Sequence, residues 1–170
     1  MQVKIIGAGL AGCEAALWLA DRGVQVELYE QKPAKYSPAH KSAGFAELIC
    51  SNSLKAERPD SASGLLKIEM KMMGSHLLDA AETARVAAGG ALAVDRDTFS
   101  AEVTRMVEAE PNITVHRERV EHIDESTPSS WLPAPDRRCA GGRDRPPDRR
   151  RAPPLLRRRG PHRDGGEPRL

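Results

Sequence analysis

Chemical capacity in this chain is concentrated in three glycines, one acid and one thiol: Gly7, Gly9 and Gly12, Glu30, and Cys50. Gly7-Ala8-Gly9-Leu10-Ala11-Gly12 has the spacing Gly-x-Gly-x-x-Gly. In such a run the first glycine permits a tight turn, and the second keeps side chains away from an approaching diphosphate. The third lets the following helix sit close to a sheet. Bare N–H groups then stand at a helix N-terminus, where the dipole favours an anion. Glu30 comes about twenty residues later, where a carboxylate accepts hydrogen bonds from an adenosine ribose and repels a 2′-phosphate. Cys50 opens the polar cluster Cys50-Ser51-Asn52-Ser53 beside Leu48 and Ile49. On residue physics alone such a thiol reads as buried and inert rather than nucleophilic.

These residues need a scaffold, and the flanking pattern supplies one. Val3 to Ile6 is a short β-branched run suited to a strand buried on both faces. A helix with Ala15, Ala16, Trp18 and Leu19 follows the glycines and runs out at Asp21-Arg22-Gly23, with Gly23 a C-cap candidate. Val24, Val26 and Leu28 alternate with Gln25, Glu27 and Tyr29, so a second strand ends on Glu30. The fold expected is α/β, a Rossmann-like parallel sheet with flanking helices, holding a dinucleotide on Gly7, Ala8, Gly9, Leu10, Ala11, Gly12 and Glu30.

Downstream, residues 31–43 read as a loop, and 44–55 as a short helical turn leading to the polar cluster. Residues 64–81 read as one helix whose Met70, Met72 and Met73 fill core gaps, with Lys67 and Lys71 on a solvated face. Gly89-Gly90 suggests a turn before an apolar strand over 91–94, and Asp97 is a cap candidate for a helix carrying Phe99, Val103, Met106 and Val107. Ile113 to Val115 and Val120 suggest a third strand reached by crossover. His116 and His122 lack a partner pattern and read as surface residues.

The 170 residues carry a net charge of +2, but the two parts differ. Residues 1–125 hold 14 Lys and Arg against 19 Asp and Glu, whereas 126–170 hold 12 against 5. The second part has nine of the thirteen prolines and no valine, isoleucine or lysine; its basic residues are all arginine. Such a stretch lacks the apolar residues for a core, so a disordered tail over 126–170 is expected after a fold domain over 1–125. Arg, Pro, Gly and Ala are what GC-rich DNA encodes in a wrong frame, and a frameshift near codon 125 explains the abrupt change. The rival is a genuine arginine-rich arm for RNA. Three unpaired cysteines indicate neither a disulfide framework nor a metal site. With no signal peptide ahead of the first strand and no membrane-length apolar run, a cytoplasmic protein is expected.

The residues from Met1 to about Asp124 resemble a known family. The glycine run with Cys13-Glu14-Ala15-Ala16, then Pro38-Ala39-His40, Phe45 to Lys55, and Ala87 to Arg96 are similar to the bacterial folate- and FAD-dependent tRNA (uracil-5-)-methyltransferases, TrmFO. The related flavoprotein GidA (MnmG) shares the glycine loop and Cys-Glu-Ala-Ala, but Cys-Ser-Asn-Ser-Leu and Gly-Gly-Ala-Leu-Ala-Val-Asp-Arg favour the first. The resemblance implies FAD as cofactor, NAD(P)H and methylenetetrahydrofolate as co-substrates, and ribothymidine in the tRNA T-loop as product. No metal and no membrane are implied. It also implies that Cys50 is catalytic or flavin-proximal, since thiolate addition at C6 makes uracil C5 nucleophilic; attack on uracil and protection of the flavin both stay open. Family members carry a further catalytic cysteine well downstream, and Cys139 does not replace it. Later strands that close such a flavin site fall outside the resemblance, so weak FAD binding or none, and no methylation by this polypeptide, are expected.

Overall fold

Short runs of Val, Ile and Leu become strands here by burying one face: Ile5, Val26 and Leu28 are buried, whereas Val3 and Ile6 are only partly so, and the burial on both faces expected of Val3 to Ile6 is not found. The computed structural model describes residues 2–121 and the backbone of 129–131. In chain order the elements are β1 (Gln2–Ile6), α1 (Leu10–Ala20), β2 (Gln25–Tyr29), β3 (Ser53–Ala56), α2 (Ala62–Met72) and α3 (His76–Thr83). They continue with β4 (Arg85–Val86), β5 (Ala91–Val94), α4 (Arg96–Ala109), β6 (Ile113–His116) and β7 (Ser129–Trp131).

Four strands form a parallel sheet in the order β6-β2-β1-β7. Ile5 lies opposite Leu28, and Val26 opposite Ile113, so the buried residues of successive strands stand side by side. Helix α1 packs on β1 and β2, and α4 packs on α1 and β6. Phe99, Val103 and Val107, spaced four apart along α4, are fully buried, as their helical spacing requires. The chain leaves β1 towards β2 on one side and later returns to β7 on the other. The strand order therefore reverses at β1, and open α/β sheets bind ligands outside the carboxyl ends of strands at such a point.

The connection from β2 to β6 departs from a simple helical crossover. Residues 30–112 include a second, antiparallel sheet in the order β3-β5-β4 as well as α2, α3 and α4. Of its strands, β5 is the apolar strand expected over 91–94, whereas the other two are too short to signal themselves: Arg85–Val86 is two residues, and Ser53–Ala56 is Ser-Leu-Lys-Ala.

Several sequence expectations are corrected. Residues 44–55 contain no helical turn; Ser53–Ala56 pairs with Ala91–Val94 instead. The single helix expected over 64–81 is two, because Gly74 takes φ +77° and Ser75 caps α3 by accepting from the Leu78 N–H. Met72 and Met73 are exposed rather than core-filling, and only Met70 packs against the core. Lys71 is exposed, as expected, and pairs with Glu82, whereas Lys67 is partly buried and donates to the Ala56 and Ser63 carbonyls. Asp95, not Asp97, caps α4 through the Thr98 N–H. His116 stacks on Tyr29 at 4.6 Å between ring centres and pairs with Glu27. Strand β7 falls beyond residue 125; His122 and the remainder of 126–170 lie outside the described residues.

Candidate functional site

The three glycines do three different jobs. Gly7 has φ +104°, a backbone conformation that side chains disfavour, and it turns the chain sharply out of β1. A Cβ on Gly12 would lie 1.9 Å from the Gly7 carbonyl oxygen, so no other residue lets α1 start this close to the loop. A Cβ on Gly9 would meet nothing within 4 Å. Gly9 thus faces open space, and its lack of a side chain serves something other than protein packing.

That open space is bounded by donors. Gly9 caps α1 without a side-chain hydrogen bond, and the first turn contains no acid. The N–H groups of Leu10, Ala11 and Gly12 precede the first intrahelical bond, from Cys13 N–H to Gly9 at 2.9 Å, and have no carbonyl one turn back. A helix start in this state suits a phosphate. Ala8 departs from the sequence expectation: it is buried, its N–H donates to Glu30 Oε2 at 2.9 Å, and its carbonyl accepts from Ala46 N–H at 2.9 Å. It shapes the loop from within.

Glu30 is buried, with Oε2 on Ala8 and Oε1 accepting from the Lys32 N–H at 3.0 Å. A carboxylate has about four lone-pair sites, so two bonds leave capacity for ribose hydroxyls. The same bonds fix the carboxylate against the glycine loop, a local orientation that spacing in the sequence did not reveal.

A cleft of about 660 Å³ gathers most of the sequence-derived candidates. Its walls include Gly7, Gly9, Leu10, Ala11, Gly12, Glu30 and Cys50. They also include residues at and just beyond the carboxyl ends of the parallel strands: Ile6 and Tyr29, the last residues of β1 and β2, Gln31 after β2, and Glu118, Arg119 and Val120 after β6. Cys50 is exposed on this wall, which removes the buried-thiol reading made from Leu48 and Ile49. Cys13 is the inert one: burial is the main cause that pushes its thiol up to about 12.

Sequence reasoning missed Lys32, His40 and Glu47, which also line the cleft. Lys32 is buried, donates to the Gly44 carbonyl at 2.6 Å and stands 3.6 Å from Glu47 Oε2. Burial alone would raise the Glu47 carboxyl; N–H groups of Lys41 and Ser42, with Lys32, outweigh it and hold the group below the usual carboxylate range. The only signal available was a lysine in a loop among other lysines, which by composition looks solvated. Among the described residues, no cluster of His, Cys, Asp and Glu is arranged to hold a metal ion, and no helix is long and apolar enough to cross a membrane.

Comparison with known proteins adds a family. The family described as glucose inhibited division protein A matches residues 2–134. The chain is 58% identical over 126 residues to the methylenetetrahydrofolate--tRNA-(uracil-5-)-methyltransferase TrmFO of Koribacter versatilis, covering 74% of this chain and 28% of the relative. It is 55% identical over 124 residues to the TrmFO of Exiguobacterium sibiricum, covering 73% and 29%. The chain therefore spans under a third of the length of these curated relatives. Among solved structures, Aquifex aeolicus GidA superposes with a TM-score of 0.54 at 16% identity, over 68% of this chain and 19% of that one, a likeness of fold.

Proposed function

The chain belongs to the glucose inhibited division protein A family, and from that membership we propose that it is the nucleotide-binding portion of a folate- and FAD-dependent tRNA (uracil-5-)-methyltransferase. The carrying observation is the single cleft that holds helix-start amides, Glu30 and an exposed Cys50 together. The names of the relatives at 58% and 55% identity support the methyltransferase over the GidA-type uridine modification.

In this reading the N–H groups of Leu10, Ala11 and Gly12 bind the diphosphate of FAD, and Glu30 accepts from the ribose. FAD, when bound, supplies the redox and one-carbon transfer chemistry, with NAD(P)H and methylenetetrahydrofolate as co-substrates. Cys50 is the reactive thiol of the cleft. A thiolate adding at C6 of uracil moves the double-bond electrons towards C5 and makes that carbon nucleophilic. The product is 5-methyluridine in the tRNA T-loop, and a cytoplasmic setting belongs to the same proposal. We keep the arginine- and proline-rich stretch 126–170 as an appendage encoded out of frame, supported by its composition; reading the gene across codons 120–130 tests it.

A chimera tests the activity. The 124 residues of this chain that match the Exiguobacterium relative replace their counterparts in it. The product is assayed on tRNA lacking 5-methyluridine, with FAD, NADPH and methylenetetrahydrofolate. Formation of 5-methyluridine, lost in Cys50→Ser, is the expected result. A folded chimera that leaves the tRNA unchanged refutes the proposal, and an aminomethylated uridine in its place assigns the GidA-type reaction.

A further inference from the structure

Lys32 is a buried cation that the proposed chemistry does not use. Its side chain is only 4% exposed, and an ammonium is costly to bury unless charge and hydrogen bonds compensate. Both compensating partners lie on the loop that leads to Cys50. The Lys32 Nζ donates to the Gly44 carbonyl at 2.6 Å and faces Glu47 Oε2 at 3.6 Å. Glu47 folds that loop on itself, its Oε1 accepting from the N–H groups of Lys41 and Ser42 at 2.9 and 3.1 Å. Its other oxygen is buried without a hydrogen-bond partner among the described residues, so the Lys32 ammonium is what balances it.

The other end of Lys32 is tied to the nucleotide side of the cleft. Its backbone N–H donates to Glu30 Oε1, while Glu30 Oε2 holds the glycine loop at Ala8. Ala46 N–H closes the circuit on the Ala8 carbonyl. A continuous set of contacts thus runs from the glycine loop through Glu30 and Lys32 to Gly44 and Glu47, three residues before Cys50.

We propose that Lys32 is a positioning residue: its buried ammonium locks the 41–50 loop to the strand ends and so sets where Cys50 stands in the cleft. The proposal rests on reading Cys50 as the reactive thiol of the cleft. A lysine that served stability alone would leave Cys50 unaffected wherever the fold survives, and the two roles separate by experiment.

The test is alkylation of the full 170-residue chain by iodoacetamide, read by mass spectrometry of the peptides carrying Cys13 and Cys50. Cys13, fully buried, reports whether the fold is intact. In Lys32→Met the loop loses its anchor, and Cys50 labels about fivefold faster or more while Cys13 stays protected. Lys32→Arg keeps the charge and stays within about twofold of wild type. Glu47→Gln keeps an acceptor for the Lys41 and Ser42 amides but removes the charge facing Lys32, and it gives the same acceleration. The double variant adds nothing beyond Lys32→Met, because that substitution already removes both the Glu47 pairing and the Gly44 bond. Cys50 labelling in Lys32→Met at the wild-type rate with Cys13 protected overturns the proposal, as does an acceleration that Lys32→Arg shares. If Lys32→Met exposes Cys13, Glu47→Gln decides by the same thresholds. Loss of tRNA product in the chimera with this labelling pattern intact counts against the activity alone.

Discussion

Replacing Gly12 and Gly9 by alanine, one at a time, separates the packing role of the glycine loop from its ligand role. In Gly12→Ala the new methyl carbon would sit 1.9 Å from the Gly7 carbonyl oxygen and 3.1 Å from its carbon, both backbone atoms that no side-chain rotation can move. Reaching the 3.4 Å at which ordinary contact begins requires the start of α1 and the loop to part by 1.5 Å, the difference between 3.4 and 1.9. Overpacking of this kind costs about 1–3 kcal/mol, and a clash between two backbone segments belongs at the top of that range. A loss of about 3 kcal/mol is a large share of the roughly 5–15 kcal/mol that holds a domain folded. It lowers the melting temperature by about 10 °C. In Gly9→Ala the methyl meets nothing within 4 Å, and φ is −77°, so stability changes by less than about 1 kcal/mol. That methyl instead enters the open space above the helix-start amides, and ADP affinity falls about tenfold or more, a change of roughly 1.4 kcal/mol. Urea unfolding followed by far-ultraviolet circular dichroism gives the stabilities, and isothermal titration gives the affinities. The reasoning is refuted if the two variants are equally destabilised, or if Gly12→Ala unfolds within about 0.5 kcal/mol of wild type.

Two further outcomes follow from burial. The Cys13 thiol is raised above its ordinary 9.0 to about 12; the folded state holds the proton more tightly, so the contribution is complete below pH 9.0 and is lost as pH rises towards 12. Between those limits wild type loses about 1.4 kcal/mol per pH unit more than Cys13→Ala, measured as the difference in slope of their unfolding free energies; parallel slopes count against a buried neutral thiol. Phe99→Ala empties a fully buried site and costs about 3–5 kcal/mol, whereas Met72→Ala, at 83% exposed, changes stability by less than about 0.5 kcal/mol in the same urea experiment. A comparable loss in Met72→Ala contradicts the placement of α2's apolar face in solvent.

The placement of α2 shows why periodicity alone did not locate the core. Leu65, Leu66, Ile68, Met72 and Met73 recur at helical spacing, as do Phe99, Val103 and Val107. The second set is buried and the first is largely exposed, because α4 packs on α1 and β6 whereas α2 turns its apolar residues away from the described core. Periodicity records that a helix has an apolar face; it does not record which surface that face meets. The break at Gly74 was likewise hidden in an apolar pattern that continued through it, and the two-residue β4 was too short to carry any pattern.

By itself the sequence determined what depends on neighbours along the chain: a strand, a glycine turn, a helix start and an acid at the end of the next strand. These are short-range matters of backbone freedom and side-chain alternation, and the conformation of Gly7 and the crowding at Gly12 agree with the reading of the residue types. Only the tertiary structure decided matters of long-range contact. It put Cys50 in solvent on the cleft wall, turned Ala8 inward onto Glu30, and buried Lys32 against Glu47. The physical reason is that burial and charge pairing belong to residues brought together by the sheet and its long crossover, at separations where local pattern carries no information.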